Sequence, residues 1–504
     1  MSYRVILDGR NFTRISQPGV SLRAQRMRWT AFGGAEDALI TASGSPALLS
    51  DLASFLRCPV TIYNAMGMPV WWGFLNGLSY PLEGNGVGTT AGGRVSVSLD
   101  GMANRVAVYH TSPAALDQPG ESHLTDWAED STSQAHYGVK EKIIRRVHID
   151  ESFALQLRDL SLSQLKNPQI EMQPGAVKAD QPMQAELDCR GWMHTLFWKG
   201  YQTQAGLIGN TVAQSGTQML GDASNRLRLA QSFLPEVGIA VNAVDVRLKR
   251  EGSPTDTLTL SLQADSSGSP SGTALGSASL SGSALEDESY PWVRFTFDLL
   301  VELSAGMRYW LVLARSGAVS STSYYLAGVD EGLAFTAGRF RLYDQSASTW
   351  VSRVPSCDLV FRVLGSRETS SQLADIYTEG NQFMTGFDCR AASGVMTPPF
   401  EVGMDTCQET FEKLLQLGTV NNRLMTARVT PERRLVVTEQ PEHGVRDHFL
   451  DAQGRFYDPH GNRLMPGFVP VGEWVRMKGA SAAAMFVSQA EVDGESGKVN
   501  LQVG

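Results

Sequence analysis

At 504 residues the chain exceeds the ~250 to 300 at which a single hydrophobic core stops growing, so several domains are expected. Its net charge of -9, with no basic tail, argues against nucleic acid as principal partner, because phosphate binding needs concentrated Lys and Arg. Hydrophobic content of 42% with 49 glycines suits a turn-rich β protein, and no window approaches the ~20 apolar residues of a membrane span.

In chain order, Tyr3 to Ile6 starts a strand, and Ser45-Pro46 opens a helix with Leu48, Leu49, Leu52, Phe55 and Leu56 on one stripe. Cys58-Pro59 closes that helix. Strands follow at Val60 to Asn64 and Val70 to Leu75, and Gly93 to Tyr109 holds two more around the turn at Asp100-Gly101. Residues 1–115 thus read as an α+β domain, and Gly84 to Gly88 as a hairpin tip. His110 to Asp130, rich in Pro, Gly, Ser, Asp and Glu, suits a linker. Strand-like runs at Lys142 to Ile149, Gln184 to Gly191 and Leu196 to Trp198 come next, then a polar lead, Gln202 to Asn225.

Residues 226–365 read as an inserted antiparallel β-sandwich. Leu258, Leu260 and Leu262 alternate with small polar residues. Val293, Phe295, Phe297 and Leu299 fall on one strand face, and Arg308 to Leu313 is an aromatic, β-branched strand whose Trp310 alternates as for a buried face. After the insert, Leu373, Ile376 and Tyr377 share a helix face. Thr406 to Glu409 is a capping box ahead of Phe411, Leu414 and Leu415, with Gly418 at the helix end. Asn421 to Glu439 reads as two strands, and Asp447 onward as turns ending in strands at Trp474 to Met477, Ala484 to Val487 and Lys498 to Val503. The expected fold class is therefore mainly β with some α+β, multi-domain: residues 1–115, a discontinuous part 116–225 with 366–504, and the insert 226–365.

The chemistry-bearing motifs are sparse. No phosphate-binding loop, nucleophile elbow, His-Glu-x-x-His pair or EF-hand loop occurs. The cysteines, Cys58, Cys189, Cys357, Cys389 and Cys407, are odd in number and far apart, which fits buried small hydrophobes better than disulfides or zinc ligands. His443 and His448 lack a carboxylate frame for a metal, and Glu286, Asp287 and Glu288 lie in a polar run that fits a solvated face better than a glycosidase pair. No catalytic residue, metal or cofactor is expected. The aromatics of the insert, Trp292, Tyr324, Tyr325, Tyr343 and Trp350, offer flat apolar faces for sugar rings. Tyr324, Tyr325 and Trp350, flanked by Ser and Thr, are the candidate glycan-binding residues.

Two resemblances organise these elements. Ser261 to Ser283 and Leu303 to Gly317 resemble small β-sandwich modules of bacterial surface proteins and phage tail proteins. Outside the insert, Trp71 to Leu78, Val97 to His110, Leu373 to Phe383, Ser393 to Val395, Thr406 to Thr419, Arg433 to Val437 and Pro470 to Val475 resemble tail hub or baseplate proteins of long-tailed bacteriophages. The second resemblance implies a non-enzymatic virion protein with β-barrel-like hub domains, made in the bacterial cytoplasm and placed at the tail tip. Its partners would be itself, commonly as a trimeric ring continuing the tail tube, and neighbouring tail proteins, with the sandwich facing outward toward a host-surface glycan. An adhesin and a wall-degrading enzyme are the alternatives weighed.

Overall fold

The computed structural model describes residues 3–11, 20–45, 49, 51–82, 93–111, 122–173, 183–202, 207–211, 214–392, 395–397, 405–479 and 484–503. The expected hairpin tip at Gly84 to Gly88 and positions 46–48 of the first expected helix lie outside these. The chain is mainly β and multi-domain. It divides into two compact units: Met1–Thr203 with Leu373–Ser393 and Val402–Gly504, and Gln204–Gln372 with Gly394–Glu401.

The first unit is organised by one long strand, Pro69–Leu82. One of its edges pairs first with Pro59–Tyr63 and then with Gly93–Ser98, while the other pairs with Met183–Gly191. From there the sheet continues through Phe32–Gly44, Val20–Thr30 and Met485–Asp493 to Val499–Val503. Neighbouring backbones come very close, and a Cβ on Gly191 would stand 1.7 Å from the Ala35 carbonyl oxygen, so only glycine fits. Because the long strand changes partner half-way, the sheet branches: its far half carries an arm ending in Gln169–Gln173, which pairs with Gly93–Ser98 alone among the described residues. No barrel closes among the described strands, and the expected barrel-like hub domains are corrected to open, branched sheets.

A smaller sheet centres on Arg105–Thr111, antiparallel to Ser122–Leu124 and Ala128–Glu129 and parallel to Glu141–Val147. The segment expected to be a linker therefore contains pairing strands, because a central strand supplies the hydrogen bonds its polar sequence does not advertise. Helix Glu151–Leu165, unanticipated from the sequence, is capped by Asp150, whose side chain accepts from Phe153 N at 2.7 Å. Trp192–Trp198 forms a 3-10 helix where a strand was expected at 196–198. Of the first expected helix, the described turn Leu52–Phe55 is 3-10, with Leu49, Leu52 and Leu56 buried.

The best-marked local signal is realised in Cys407–Leu417. Thr406 and Glu409 form the reciprocal capping box, Phe411, Leu414 and Leu415 are buried, and Gly418 follows at φ 77°. Leu373 and Ile376 of helix Thr369–Gly380 are buried as expected, and the five cysteines are free thiols, with Cys189, Cys357 and Cys407 buried.

The second unit is a two-sheet sandwich. A six-stranded sheet runs in the order Ser269–Ser281, Thr257–Ser266, Tyr309–Arg315, Arg228–Phe233, Phe340–Asp344, Thr349–Ser352. An eight-stranded sheet is built around Ile239–Glu251, which pairs with Trp292–Leu303 on one edge and with Phe361–Glu368 and then Tyr324–Asp330 on the other. Leu207–Asn210 and Gly216–Leu220 also pair into this sheet, so the polar lead contributes strands and the sandwich begins before residue 226.

Leu258, Leu260, Leu262, Phe295 and Phe297 face the core between the sheets. Leu299 does not, and is 80% exposed. A register shift between Val241 and Ala243 moves the pairing from Thr296 to Val301, so the inward phase passes to Val301 and Leu303. Trp310 is buried, but on the opposite face of its strand from Leu311 and Leu313, in a satellite cluster with Ala230 and Val312.

Candidate functional site

Tyr324 and Tyr325 are adjacent on Tyr324–Asp330, and strand alternation sends them to opposite faces. Tyr325 belongs to the core, with 0% exposure, and its expected role on a binding face is corrected. Its hydroxyl donates to Asp256 Oδ1 at 2.8 Å, beside Gly282, where a Cβ would lie 2.0 Å from the Tyr325 hydroxyl oxygen. Arg315 Nε and Gly317 N also donate to Asp256, at 2.9 Å each. Burial, followed by the hydrogen bond to Asp256, raises the Tyr325 pKa well above the ordinary phenol value. Burial opposes ionisation of Asp256, but donation from Arg315, Tyr325 and Gly317 outweighs it and keeps the carboxyl low. The Ser-rich flanks suggested a loop, yet pairing with Arg250 and Leu220 fixes Tyr325 in a central strand.

Trp350 lies in the other sheet, at its edge strand, so the three sequence candidates do not converge. It sits directly across from Tyr343, with ring centroids 5.2 Å apart and the planes at 66°. The Arg228 guanidinium stands 5.0 Å from the Tyr343 centroid, and Trp350 packs against the cluster around Trp310. Trp310 itself is anchored by Nε1 donating to Asp265 Oδ1 at 2.7 Å. Partly exposed Trp350 and Tyr343 thus form an aromatic ridge on a buried indole, a rigid platform of the kind that stacks against sugar rings.

Tyr324 faces outward on the eight-stranded sheet, where Trp292 meets charged side chains that no sequence motif marks. Val244, Val246 and Leu248 enter the core, which leaves Asp245, Arg247 and Lys249 on the outer face. Asp245 lies between Arg294 and Arg362 on the two neighbouring strands: Arg294 Nε donates to Oδ1 at 2.8 Å and Arg362 Nε to Oδ2 at 2.6 Å. Burial opposes ionisation of this carboxyl, but the two guanidiniums overcome it and hold its pKa below the ordinary value. One residue pair along, Arg247 is opposite Trp292, and the guanidinium carbons of Arg247 and Arg362 stand 4.6 and 4.7 Å from that ring's centroid. Lys249 Nζ lies 5.2 Å from the Tyr290 ring. The legible signal was the alternation over Val244 to Lys249, which places every charge on one side.

No protein-family model matches the chain, and no curated protein sequence matches it. Among solved structures it is similar to the mosquito-larvicidal Cry4Aa toxin from Bacillus thuringiensis, at 7% identity and TM-score 0.16 over 65% of this chain and 56% of that one. A Cry1Da tryptic core variant from Bacillus thuringiensis gives 10% identity and TM-score 0.16, covering 64% and 54%. Infectious bursal disease virus, Gx strain, gives 10% and 0.12, covering 78% and 86%. The chain spans little more than half the length of these toxins, at TM-scores too low to indicate a common fold.

Proposed function

We propose that the chain is a structural protein of a phage tail tip, which self-associates through its first unit and carries the sandwich as a glycan-binding module for host attachment. The observation that carries self-association is the free arm of the first unit. Direct cross-strand pairing puts Leu78, Val97 and Ile170 in one row and Tyr80, Val95 and Met172 in the next, all on one face, whereas Ser79, Ser96 and Glu171 occupy the other. Ile170 and Met172 are each 71% exposed, on a strand whose outer edge has no partner among the described residues. An apolar sheet face ending in an open edge is a pairing surface for a second copy, as a closed ring requires.

The resemblance to tail hub proteins supplies the setting: a ring, commonly a trimer, between neighbouring tail proteins. The Trp350–Tyr343 ridge supports glycan attachment. The test is analytical ultracentrifugation with electron microscopy of the full chain and of an Ile170→Asp/Met172→Asp variant. A discrete ring that dissociates in the folded variant is expected, and a parent that stays monomeric at tens of micromolar would refute the assembly reading.

A further inference from the structure

The chain is acidic overall, yet the outer face of the eight-stranded sheet concentrates positive charge. Arg247, Arg294, Arg362 and Lys249 stand there with Asp245 among them and Glu251 at the end of the row opposite Tyr324, which leaves the cations in excess. Asp245 is committed to Arg294 and Arg362 together, so that trio keeps one net positive charge. Arg247 has no carboxylate within ion-pairing distance among the described residues. Its Nη1 donates only to the Tyr290 carbonyl, at 2.7 Å. Burial and the neighbouring Arg362 charge both depress the basicity of Arg247, the mark of two like charges held close without full compensation. Beside Arg247 the face is closely packed: a Cβ on Gly328 would stand 2.5 Å from Gln214 Oε1 and 2.9 Å from Arg247 Cβ, so the absence of a side chain at Gly328 is what lets Gln214 and Arg247 lie there.

We infer that this face, centred on Arg247, Arg362 and Trp292, binds a carboxylate-bearing polysaccharide, an inference that rests on reading the sandwich as a glycan-binding module. A guanidinium fork matches a carboxylate in two-point geometry, and Arg294 already shows that geometry here, reaching both oxygens of Asp245 at 2.8 and 3.0 Å. Trp292 holds Arg247 and Arg362 against its ring, so their orientation is set before the ligand arrives. Tyr290, under Lys249, and Tyr324 extend the face with aromatic rings for sugar contact. A sugar acid fits better than a nucleic acid, because the basic patch is short and the remaining surface of a chain of charge -9 repels a long polyphosphate.

The experiment measures binding of the full chain to immobilised polygalacturonate, to its methyl ester, which keeps the sugar backbone without the charge, and to duplex DNA. Polygalacturonate should bind at least tenfold more tightly than the ester, and the binding should weaken with salt. Arg247→Gln, which breaks no ion pair, should lose at least fivefold while the sandwich stays folded by thermal unfolding, whereas Arg23→Gln, an equal charge loss in the first unit, should lose nothing. Equal binding of acid and ester, an unaffected Arg247→Gln variant, tighter binding of DNA, or no binding of polygalacturonate would each overturn the inference. If Trp350→Ala rather than Arg247→Gln abolishes binding of acid and ester alike, the glycan-binding module stands and this site does not.

Discussion

Replacing Lys140 by Met should stabilise the first unit at neutral pH, and the gain should disappear as the pH rises. Lys140 is 7% exposed, and its Nζ donates to the Leu99 carbonyl and lies 4.7 Å from the Trp198 ring centroid. That indole packs against Phe74 and Phe383, with centroids 5.4 and 5.7 Å away, so the ammonium is held against an aromatic cluster with little water. Burial pulls its pKa from 10.5 to about 8, and the charge of Asp100 only partly offsets this. That depression corresponds to roughly 3 kcal/mol of unfavourable charge burial at neutral pH.

Because the folded pKa is the lower one, the unfolded chain binds more protons between about pH 8 and 10.5, and stability rises with pH across that window. From pH 7 to 9.5 the parent should gain about 2 kcal/mol from this group. Lys140→Met removes the charge but also the cation–π contact and the hydrogen bond, together roughly 1 to 2 kcal/mol. A net gain of roughly 1 to 2 kcal/mol at pH 7 is therefore expected, reversing to parity or a small loss at pH 9.5. Urea unfolding of both proteins at the two pH values, followed on the transition of the first unit, measures this, and all other titrations cancel in the difference. Parallel behaviour of the two proteins with pH would refute the reasoning.

Two further substitutions test the packing. Tyr325→Phe removes one of the donors to Asp256 and should cost roughly 1 to 2 kcal/mol of sandwich stability, read by thermal unfolding, while leaving binding to host cells intact; lost binding without lost stability would restore Tyr325 to a binding face. Leu414→Asp places a carboxylate in the buried stripe of Cys407–Leu417 and should cost several kcal/mol, enough to unfold the first unit, whereas an unchanged melting temperature would mean the stripe is not core.

Features that depend on a few neighbouring residues can be read from the chain directly. The capping box at Thr406 and Glu409 needs only a hydroxyl, a carboxylate and three intervening residues, so it was legible, as was the alternation of Leu258, Leu260 and Leu262. The presence of a sandwich followed from such strands in succession. Which side of a strand is covered depends instead on long-range packing. Tyr324 and Tyr325 share the same flanks, and the packing of the second sheet over one face makes the one surface and the other core. Trp310 alternates faultlessly, yet it occupies the outer face, because period two gives two faces and does not say which is inward. Leu299 kept the pattern of Phe295 and Phe297, but a bulge set by the partner strand Ile239–Glu251 shifted the phase after it. The Arg247, Arg362 and Trp292 cluster joins three strands separated by up to more than a hundred residues, and hydrogen-bond register, a long-range property, is what brings them side by side.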